Sequence, residues 1–514
     1  MRSRYYDNYC YHFMILLLVF AASLLVLWWR KNRKERNGMR RLPPGPRRFP
    51  LIGNLLQLGN ELPHVSLQML SNKYGPLMFL KLGSIPTLVV SSADMAKEIL
   101  TKHDLVCSNR PMFYAPRKLS YGCSDITFSP YGDYFREVKK MAVSELLSAK
   151  KVLSCRAVRE EEVALAFNLM RTSSSSSVPI NLSEILLCLI NNVVCRVAFG
   201  IKYVDDEQDE DGKNKIYMIF QETLNLLAGF NAADLFPWMS WIYRFDGLDA
   251  RLEKNFRHMD EFYDKIIDEH INGSKSSKTG GDEDFVDVLL RVQKDPSHSI
   301  SLSRDNIKAI LMDMFIAGTD TSAVILVWTM TELIRNPTIM KIAQEEVRSE
   351  IGFKEMVEES DLRKLSYIKL VIKEAFRLHP PSPLLVPRET SENCRINGYD
   401  IPIKTSVLIN AKAISTDPKY WENPNEFLPE RFLDSNIDYK GQDFELIPFG
   451  GGRRRCPGIS FSAVLIELVL ANLLHCFDWK LPSGMKIEEF DMSEAFGLAV
   501  HKKIPLCLLA DSRK

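Results

Sequence analysis

The sequence lacks the features that mark several common classes of protein. Its 66 basic and 65 acidic residues nearly cancel, so no strong net charge favours nucleic acid or another polyanion as a partner. None of its ten cysteines forms a CxxC pair, and a chain of 514 residues is no small secreted disulfide framework. We therefore expect reduced thiols and a cytosolic folded part. A GxGxxG motif is absent, so a redox activity would have to take its electrons from another protein.

A charge-free apolar segment lies near the N-terminus, from Phe13 to Trp29. As a helix it would span roughly 26 Å at about 1.5 Å per residue, close to the roughly 27 Å of an endoplasmic reticulum bilayer. Basic residues follow it, and the positive-inside rule then places the rest of the chain in the cytosol. A cleavable signal peptide is the alternative, but its apolar core would be shorter and would end in small residues. The sequence predicts a short lumenal leader at 1–12, a transmembrane anchor at 13–29 and a basic, proline-rich linker at 30–46.

Residues 47–514 are predicted to form one large domain that is mostly α-helical with small β-sheets, an α+β arrangement. The longest helix is predicted from about Ser303 to Asn336, where a proline follows. A second membrane span is an alternative for its apolar middle, but Asp313 and Asp320 argue against it because charges in a bilayer are costly. Short strands are predicted at Leu77–Leu82, Thr87–Val90, Arg395–Ile396 and Val407–Asn410.

The decapeptide 449–458, Phe-Gly-Gly-Gly-Arg-Arg-Arg-Cys-Pro-Gly, presents one cysteine from a glycine-rich turn ahead of an apolar segment. Its glycines allow a flat, bulky group to approach the backbone. Pro457 suits the first turn of a helix, whose N-terminus would favour the thiolate form of Cys456. A thiolate that donates electron density to a haem iron favours cleavage of the O–O bond. A buried structural cysteine in a basic turn is the alternative.

This decapeptide resembles the haem-binding loop of the cytochrome P450 family, Phe-x-x-Gly-x-Arg-x-Cys-x-Gly, at every fixed position. The matching residues are Phe449, Gly452, Arg454, Cys456 and Gly458. The resemblance implies the family's fold and a haem b with Cys456 as the axial ligand of its iron. It also implies that Arg454 binds a haem propionate. The likeness covers essentially the whole chain after the anchor, and its details are similar to the plant family-71 group.

A second motif, Ala-Gly-Thr-Asp-Thr, lies in the middle of the long helix. Gly318 costs about 1 kcal/mol against alanine there, which indicates close approach by something large. Thr321 can donate to the carbonyl of Ala317 one turn earlier and loosen the helix. Taken alone, a threonine satisfied by its own helix beside an exposed aspartate is the simpler interpretation. Beside the cysteine loop, the segment resembles the family's oxygen-activation motif, which implies that Asp320 and Thr321 relay protons.

The resemblance also assigns roles to charged residues elsewhere in the chain. Glu374 and Arg377 lie three residues apart on one predicted helix face and are similar to the family's Glu-x-x-Arg pair. The implied third member is Arg431, in a buried triad that holds the haem pocket. Arg388 is the second cation expected at the haem propionates.

One site departs from the family pattern. Relatives usually carry Trp-Arg-x-x-Arg after Pro-Tyr-Gly-Asp-Tyr, whereas this chain has Phe135 and Lys139 at the first and last of these positions. Phenylalanine cannot donate an indole N–H to a propionate, and lysine keeps the charge but lacks the bidentate fork of arginine. We therefore expect Lys139 to contribute to haem binding, with one side of the haem held less tightly.

The expected function is that of an NADPH- and O2-dependent haem-thiolate monooxygenase that oxidises a small apolar plant metabolite. A terpenoid is the leading substrate class, and an alkaloid or phenolic compound is the alternative. A haem-thiolate isomerase or dehydratase and a non-catalytic haem-binding protein remain rival functions. The substrate pocket is expected over the haem, and its predicted residues are Ile310, Met314, Ala317, Leu384, Val386, Phe496 and Leu498.

The resemblance implies a set of partners as well. Electrons would come from a separate NADPH–cytochrome P450 reductase, with cytochrome b5 as an optional second donor. A basic face of Arg136, Lys140, Arg453 and Arg455 near the cysteine loop would complement an acidic patch on the reductase. The protein is expected at the endoplasmic reticulum membrane as a single-pass protein with a cytosolic catalytic domain, and no nucleic-acid partner is expected.

Overall fold

The structure is a computed structural model that describes residues 41–174, 178–201, 210–228, 231–239, 247–273, 283–296, 300–482 and 484–513. The predicted leader, the anchor and most of the linker therefore lie outside the described residues. The first helices are α1 Pro63–Tyr74, α2 Ala93–Thr101, α3 Tyr114–Leu119, α4 Asp133–Met141, α5 Ala149–Ser154, α6 Arg156–Ser174, α7 Leu182–Phe199 and α8 Glu210–Ala228. The later helices are α9 Ala232–Leu235, α10 Leu248–Ile271, α11 Phe285–Lys294, α12 Arg304–Arg335, α13 Pro337–Ile351, α14 Ser366–Leu378, α15 Ala411–Ser415 and α16 Ile459–Cys476.

Short strands lie between these helices and form small sheets, so the predicted fold class, mostly α with small β-sheets, is confirmed. The strands are β1 Leu77–Leu82, β2 Ile85–Val90, β3 Ile180–Asn181, β4 Arg388–Glu389, β5 Cys394–Ile396, β6 Tyr399–Ile401, β7 Ser406–Ile409, β8 Phe477–Lys480, β9 Glu494–Ala495, β10 His501–Lys502 and β11 Cys507–Ser512. The largest described sheet has the order β1-β2-β7-β4. Its strand β7 runs parallel to β2 and antiparallel to β4. The edge strand β4 carries Arg388, so this sheet delivers a charged side chain to the interior of the domain.

The long helix α12 follows its sequence signals closely. Its start is fixed by a capping box, in which the Asn306 N–H donates to the Ser303 hydroxyl at 3.1 Å and the Ser303 N–H donates to the Asn306 side chain at 2.9 Å. It ends at the cap residue Asn336, because Pro337 begins the next helix. The prediction of one helix at about 303–336 is confirmed.

Helix α12 belongs to the core of the domain. By length and composition α7, α12 and α16 could each cross a membrane, but 61%, 78% and 67% of their most apolar windows are buried inside the protein. Helix α12 packs against both α7 and α16. The alternative of a membrane span in the middle of α12 is therefore wrong, and its apolar composition reflects the burial of most of its surface in the protein core.

The end of the predicted linker packs onto the first sheet. The Phe79 N–H donates to the carbonyl of Pro44 at 2.9 Å. A Cβ atom at Gly45 would lie 2.3 Å from the Phe79 carbonyl oxygen, so only glycine fits this approach. Residues 44 and 45 of the predicted linker therefore pack directly against strand β1.

Glu374, Arg377 and Arg431 come together in the core. Arg377 donates from Nε and Nη2 to the two oxygens of Glu374 at 2.7 and 2.8 Å, and Arg431 Nε donates to Glu374 Oε1 at 3.0 Å. Glu374 and Arg377 have no exposed surface. Arg431 lies in the short 3-10 helix Pro429–Phe432, so the triad ties α14 to the chain that leads into the cysteine loop.

We expect Glu374→Ala to lower the free energy of unfolding by about 3–5 kcal/mol, because it leaves the buried guanidinium of Arg377 and the part-buried one of Arg431 without their carboxylate. Urea denaturation followed by circular dichroism measures the change. A matched control is Lys480→Ala, which breaks the exposed Lys480–Asp511 pair and should stay within about 0.5 kcal/mol of the wild type. Equal losses in both variants would contradict a structural role for the triad.

Candidate active site

The cysteine loop, residues 449–458, closes on itself before α16 begins. The Cys456 N–H donates to the carbonyl of Phe449 at 3.0 Å. The Gly458 N–H donates to Cys456 Sγ at 3.4 Å. Gly452 has φ 63°, and a Cβ atom there would lie 2.5 Å from a carboxylate oxygen of Asp104. The close approach at Gly452 is thus made by Asp104, while Phe449, Cys456 and Gly458 line the main cavity.

Pro457 does not lie in a helix, and the prediction that it occupies a first helical turn is wrong. Helix α16 begins at Ile459 with Gly458 as its cap, because the backbone of Cys456 is held by the closure of the loop. Burial raises the pKa of the Cys456 thiol, and the Gly458 N–H and the Lys139 ammonium act in the opposite direction. The amide and the nearby cations offset part of the effect of burial, although the pKa of the thiol stays raised overall.

Three buried arginines, Arg110, Arg388 and Arg454, line the cavity beside the cysteine loop. Arg388 forms an ion pair with Asp104 at 2.9 Å. Arg110 and Arg454 donate to backbone carbonyls, and neither has a carboxylate partner among the described residues. Burial lowers the pKa of all three, that of Arg454 to about 9, and repulsion between guanidiniums adds to this at Arg110 and Arg454. The cavity therefore holds an excess of buried positive charge.

Phe135 and Lys139, where the sequence departs from the family pattern, both line this cavity. The guanidinium carbon of Arg454 lies 3.6 Å from the centroid of the Phe135 ring, a cation–π contact. Lys139 Nζ donates to the carbonyls of Arg453 and Arg455 at 2.6 and 2.8 Å. Burial lowers the pKa of Lys139 to about 8. Lys139 thus fastens the cysteine loop to α4, and Phe135 orients Arg454.

Helix α12 forms another wall of the cavity. Ala317, Gly318, Asp320 and Thr321 all line it, and Thr321 Oγ1 donates to the carbonyl of Ala317 at 2.7 Å, as expected. A Cβ atom at Gly318 would lie 3.3 Å from a methyl group of Val194 on α7. Gly318 therefore allows α7 and α12 to pack closely, in addition to facing the cavity.

Asp320 is 2% exposed and forms an ion pair with His501, whose Nε2 lies 2.8 Å from Asp320 Oδ1. The contact is electrostatic rather than a well-aligned hydrogen bond, because Oδ1 has no aligned donor among the described residues. Burial alone would lower the pKa of His501, but the contact with the Asp320 carboxylate outweighs burial and raises it. The pair links α12 to strand β10.

The predicted pocket residues divide between two adjoining cavities. Met314, Ala317, Val386 and Leu498 line the main cavity. Leu384 and Phe496 line a second cavity, which shares Val386 and Leu498 with the first. Ile310 lines neither cavity and is fully buried in the core, because it faces away from the open side of α12.

Several residues of the site carried no signal in the sequence. Arg110 and Asp104 come from the loop after α2, and His501 comes from the last hairpin. Two further carboxyl groups, Asp125 and Asp313, are buried near the arginines, and burial raises the pKa of both. Asp313 Oδ2 accepts the N–H groups of Ile126 and Thr127 at 2.6 and 3.2 Å. None of these contacts follows from local spacing, because each joins distant parts of the chain.

The geometry suits a haem. A thiol sulfur lies on one wall of the cavity, apolar and glycine positions of α12 form another, and the surplus guanidiniums match the two carboxylates of the porphyrin. A single cysteine ligand together with cationic propionate partners defines the class of haem-thiolate proteins.

Comparison with known proteins identifies the family within this class. A family model described as "Cytochrome P450" matches residues 43–508, and the chain belongs to the cytochrome P450 family, with its close relatives in the plant family-71 group. It is 58% identical over 472 residues to "Cytochrome P450 71A9" of Glycine max, covering 92% of this chain and 93% of the relative. It is 55% identical over 473 residues to a strychnine-11-hydroxylase of Strychnos nux-vomica, covering 92% of each chain.

Further comparisons agree. A phenylacetaldehyde oxime monooxygenase of Prunus mume is 48% identical over 479 residues, covering 92% of this chain and 90% of the relative. A zebrafish cytochrome P450 solved with progesterone has a TM-score of 0.75 and 26% identity, covering 88% of this chain and all of that chain. The protein is a cytochrome P450 monooxygenase that uses haem b with a cysteine thiolate ligand and electrons derived from NADPH.

We expect Cys456→Ala to abolish the absorption of the ferrous–CO complex that is typical of thiolate ligation. Difference spectra of the reduced protein measure it. Cys195→Ala is the control, because Cys195 is a buried cysteine that does not line the cavity, and its spectrum should remain that of the wild type. An unchanged spectrum in Cys456→Ala would refute the ligand assignment.

Proposed function

We propose that this monooxygenase oxidises a neutral, mainly apolar specialised metabolite, with a terpenoid as the leading class. The observation that carries the proposal is that the carboxyl groups at the cavity already have partners. Among the described residues that line it, only Asp313 and Asp320 are carboxylic. Asp313 already accepts two backbone N–H groups, and Asp320 is paired with His501. A protonated amine would find no unpaired carboxylate there.

An alkaloid substrate is the second candidate. The strychnine-11-hydroxylase at 55% identity favours it. An alkaloid could enter as its neutral base, in which case the apolar lining would accept it as readily as a terpene. The isomerase and non-catalytic alternatives have no support from the relatives, whose names describe hydroxylases and monooxygenases.

We assign each group of residues in the site a separate role in the reaction. The haem, when bound, supplies the redox chemistry that activates O2 with electrons from NADPH. Cys456 would bind the iron, and Arg110, Arg388 and Arg454 would hold the propionates. The apolar residues around Leu498 would exclude water and orient the substrate. Asp320 and Thr321 would hold and move the protons that the cleavage of O2 consumes.

The basic face near the cysteine loop is the proposed docking surface for the reductase. Arg136 and Arg453 are 58% and 53% exposed at their side chains. Lys139 joins the underlying helix α4 to the loop through the carbonyls of Arg453 and Arg455. A partner bound there would lie on the thiolate side, opposite the substrate. The anchor at 13–29 would keep the protein at the endoplasmic reticulum membrane, within reach of a membrane-bound reductase.

Microsomes that carry the protein and a plant reductase test the substrate class. We expect NADPH-dependent, singly oxygenated products from neutral terpenes, identified by mass spectrometry with 18O2. An alkaloid panel should be offered at pH values below and above the pKa of each amine. Conversion of a permanently charged quaternary ammonium alkaloid in preference to all neutral compounds would refute a neutral substrate. Turnover without NADPH would refute the reaction class.

We expect Thr321→Ala to uncouple NADPH oxidation from product formation, because the proton relay loses its hydroxyl while the helix persists. The measurements are product and hydrogen peroxide formed per NADPH consumed. Thr329→Ala is the matched control: Thr329 makes the same bond to its own helix, at 2.6 Å to the carbonyl of Ile325, but does not line the cavity. Full coupling in Thr321→Ala would contradict the relay.

A further inference from the structure

The buried carboxylate of Asp320 has one charged neighbour that reaches solvent. His501 Nε2 lies 2.8 Å from Asp320 Oδ1, and the histidine side chain is 41% exposed whereas that of Asp320 is 2% exposed. Asp320 Oδ1 faces no aligned hydrogen-bond donor among the described residues, although Asp320 lines the main cavity. A titratable group thus bridges the outside of the protein and a buried carboxylate on the cavity wall.

The strand that carries His501 is fixed in place by contacts on both sides. His501 pairs with Ala495 across the antiparallel β9–β10 hairpin. The Trp328 indole N–H of α12 donates to the carbonyl of Val500 at 3.0 Å, and the Val500 N–H donates to the carbonyl of Pro381 at 2.9 Å. The turn of the same hairpin holds Leu498 against the cavity. These bonds hold the imidazole beside Asp320.

The other charged groups of the hairpin have partners elsewhere. Glu494 on β9 accepts from His64 of α1 at 2.9 Å. Lys502 on β10 lies 3.8 Å from Asp491, in the segment before the hairpin. Asp320 on the packed helix α12 faces His501, and among the described residues it is the charged group that acts on the pKa of His501. The protonation of His501 therefore depends on its contact with Asp320.

We propose that His501 is a positioning residue through which protons from solvent reach Asp320; this inference rests on the proposed role of Asp320 in the proton relay. When the partly exposed imidazolium turns so that its Nε2–H points at Oδ1 of Asp320, it gives that proton to the carboxylate, which leaves a neutral imidazole and a carboxylic acid. Solvent then restores the proton at the exposed imidazole. Protons and charge balance at each step, and Asp320 becomes the acid that faces the cavity. An imidazole suits the task because its pKa lies near the working pH.

Two variants of His501 separate the supply of protons from the ion pair. His501→Gln removes both, and we expect it to lower the rate of product formation by up to about 100-fold, the lower end of what a positioned proton donor contributes. His501→Lys keeps a cation beside Asp320 but holds its proton at neutral pH, so it should keep the pair and still turn over slowly. In the wild type the rate should fall as pH rises past the pKa of His501, and this step should be missing from both variants.

Asp320→Asn distinguishes failure of the inference from failure of the proposed relay. If Asp320→Asn is slow and uncoupled while His501→Gln follows the wild-type rate and pH profile, the inference is overturned and the relay stands. If Asp320→Asn is itself fully coupled, both are overturned. His501→Lys with a wild-type rate would show that the charge alone suffices and would also overturn the passage of protons. Ferrous–CO spectra of each variant verify that haem is bound.

A second readout needs no turnover. Because the folded-state pKa of His501 is raised, its pair with Asp320 contributes stability that is fully present below the unfolded pKa of about 6.5 and is lost as pH rises through the folded value. The difference in melting temperature between wild type and His501→Gln should therefore be larger at pH 6 than at pH 9, in the absence of substrate and NADPH. His258→Gln, at a part-exposed histidine of α10, is the control and should show no such trend. A difference that is independent of pH would contradict the pairing.

Discussion

Compensation of buried positive charge is the constraint on which the rest of this structure depends. Arg110, Arg388 and Arg454 are all held in the interior, where an unpaired ion costs several kcal/mol. Among the described residues, one carboxylate, Asp104, is ion-paired with these arginines, and backbone carbonyls accept their other hydrogen bonds. Burial lowers the pKa of all three guanidiniums, which is the sign of a site that is incomplete without an anion. The stability of this region should therefore be linked to haem binding.

Asp104 joins the arginine cluster to the cysteine loop. It accepts from Arg388 at 2.9 Å and from the Arg453 N–H at 2.8 Å, and it occupies the space that a side chain at position 452 would need. One carboxylate thus neutralises Arg388, which we propose to bind a propionate, and fixes the backbone that presents Cys456. The glycine of the loop motif is required here by the approach of the protein's own carboxylate.

The sequence was sufficient wherever the determining interaction is local. The caps of α12 at Ser303 and Asn336, the return bond from Thr321 to Ala317 and the pairing of Glu374 with Arg377 all join residues a few positions apart. The sequence pattern did not predict contacts between residues that lie far apart in the chain. Asp104 and the Arg453 N–H are 349 positions apart, and no motif identifies His501 or Arg110 as residues of the site. For a related reason, Pro457 lies outside the helix in which it was expected, and Ile310 lies outside both cavities. The closure of a loop and the orientation of a helix are set by packing, which a local pattern does not contain.

Phe135 stands where relatives usually carry tryptophan, and its contacts indicate what this difference costs in binding energy. Loss of an indole N–H removes one hydrogen bond to a charged group, worth about 1.5–3 kcal/mol. The centroid of the phenyl ring lies 3.6 Å from the guanidinium carbon of Arg454. A desolvated cation–π contact of this kind contributes about 2 kcal/mol. Lys139 donates its hydrogen bonds to the carbonyls of the cysteine loop, so it stabilises the side of the site that carries Cys456. The substitution would therefore remove a direct bond with the cofactor but keep the contacts that hold Arg454 and the cysteine loop. We expect one propionate to be held less tightly, while the loop on which ligation of the iron depends stays in place.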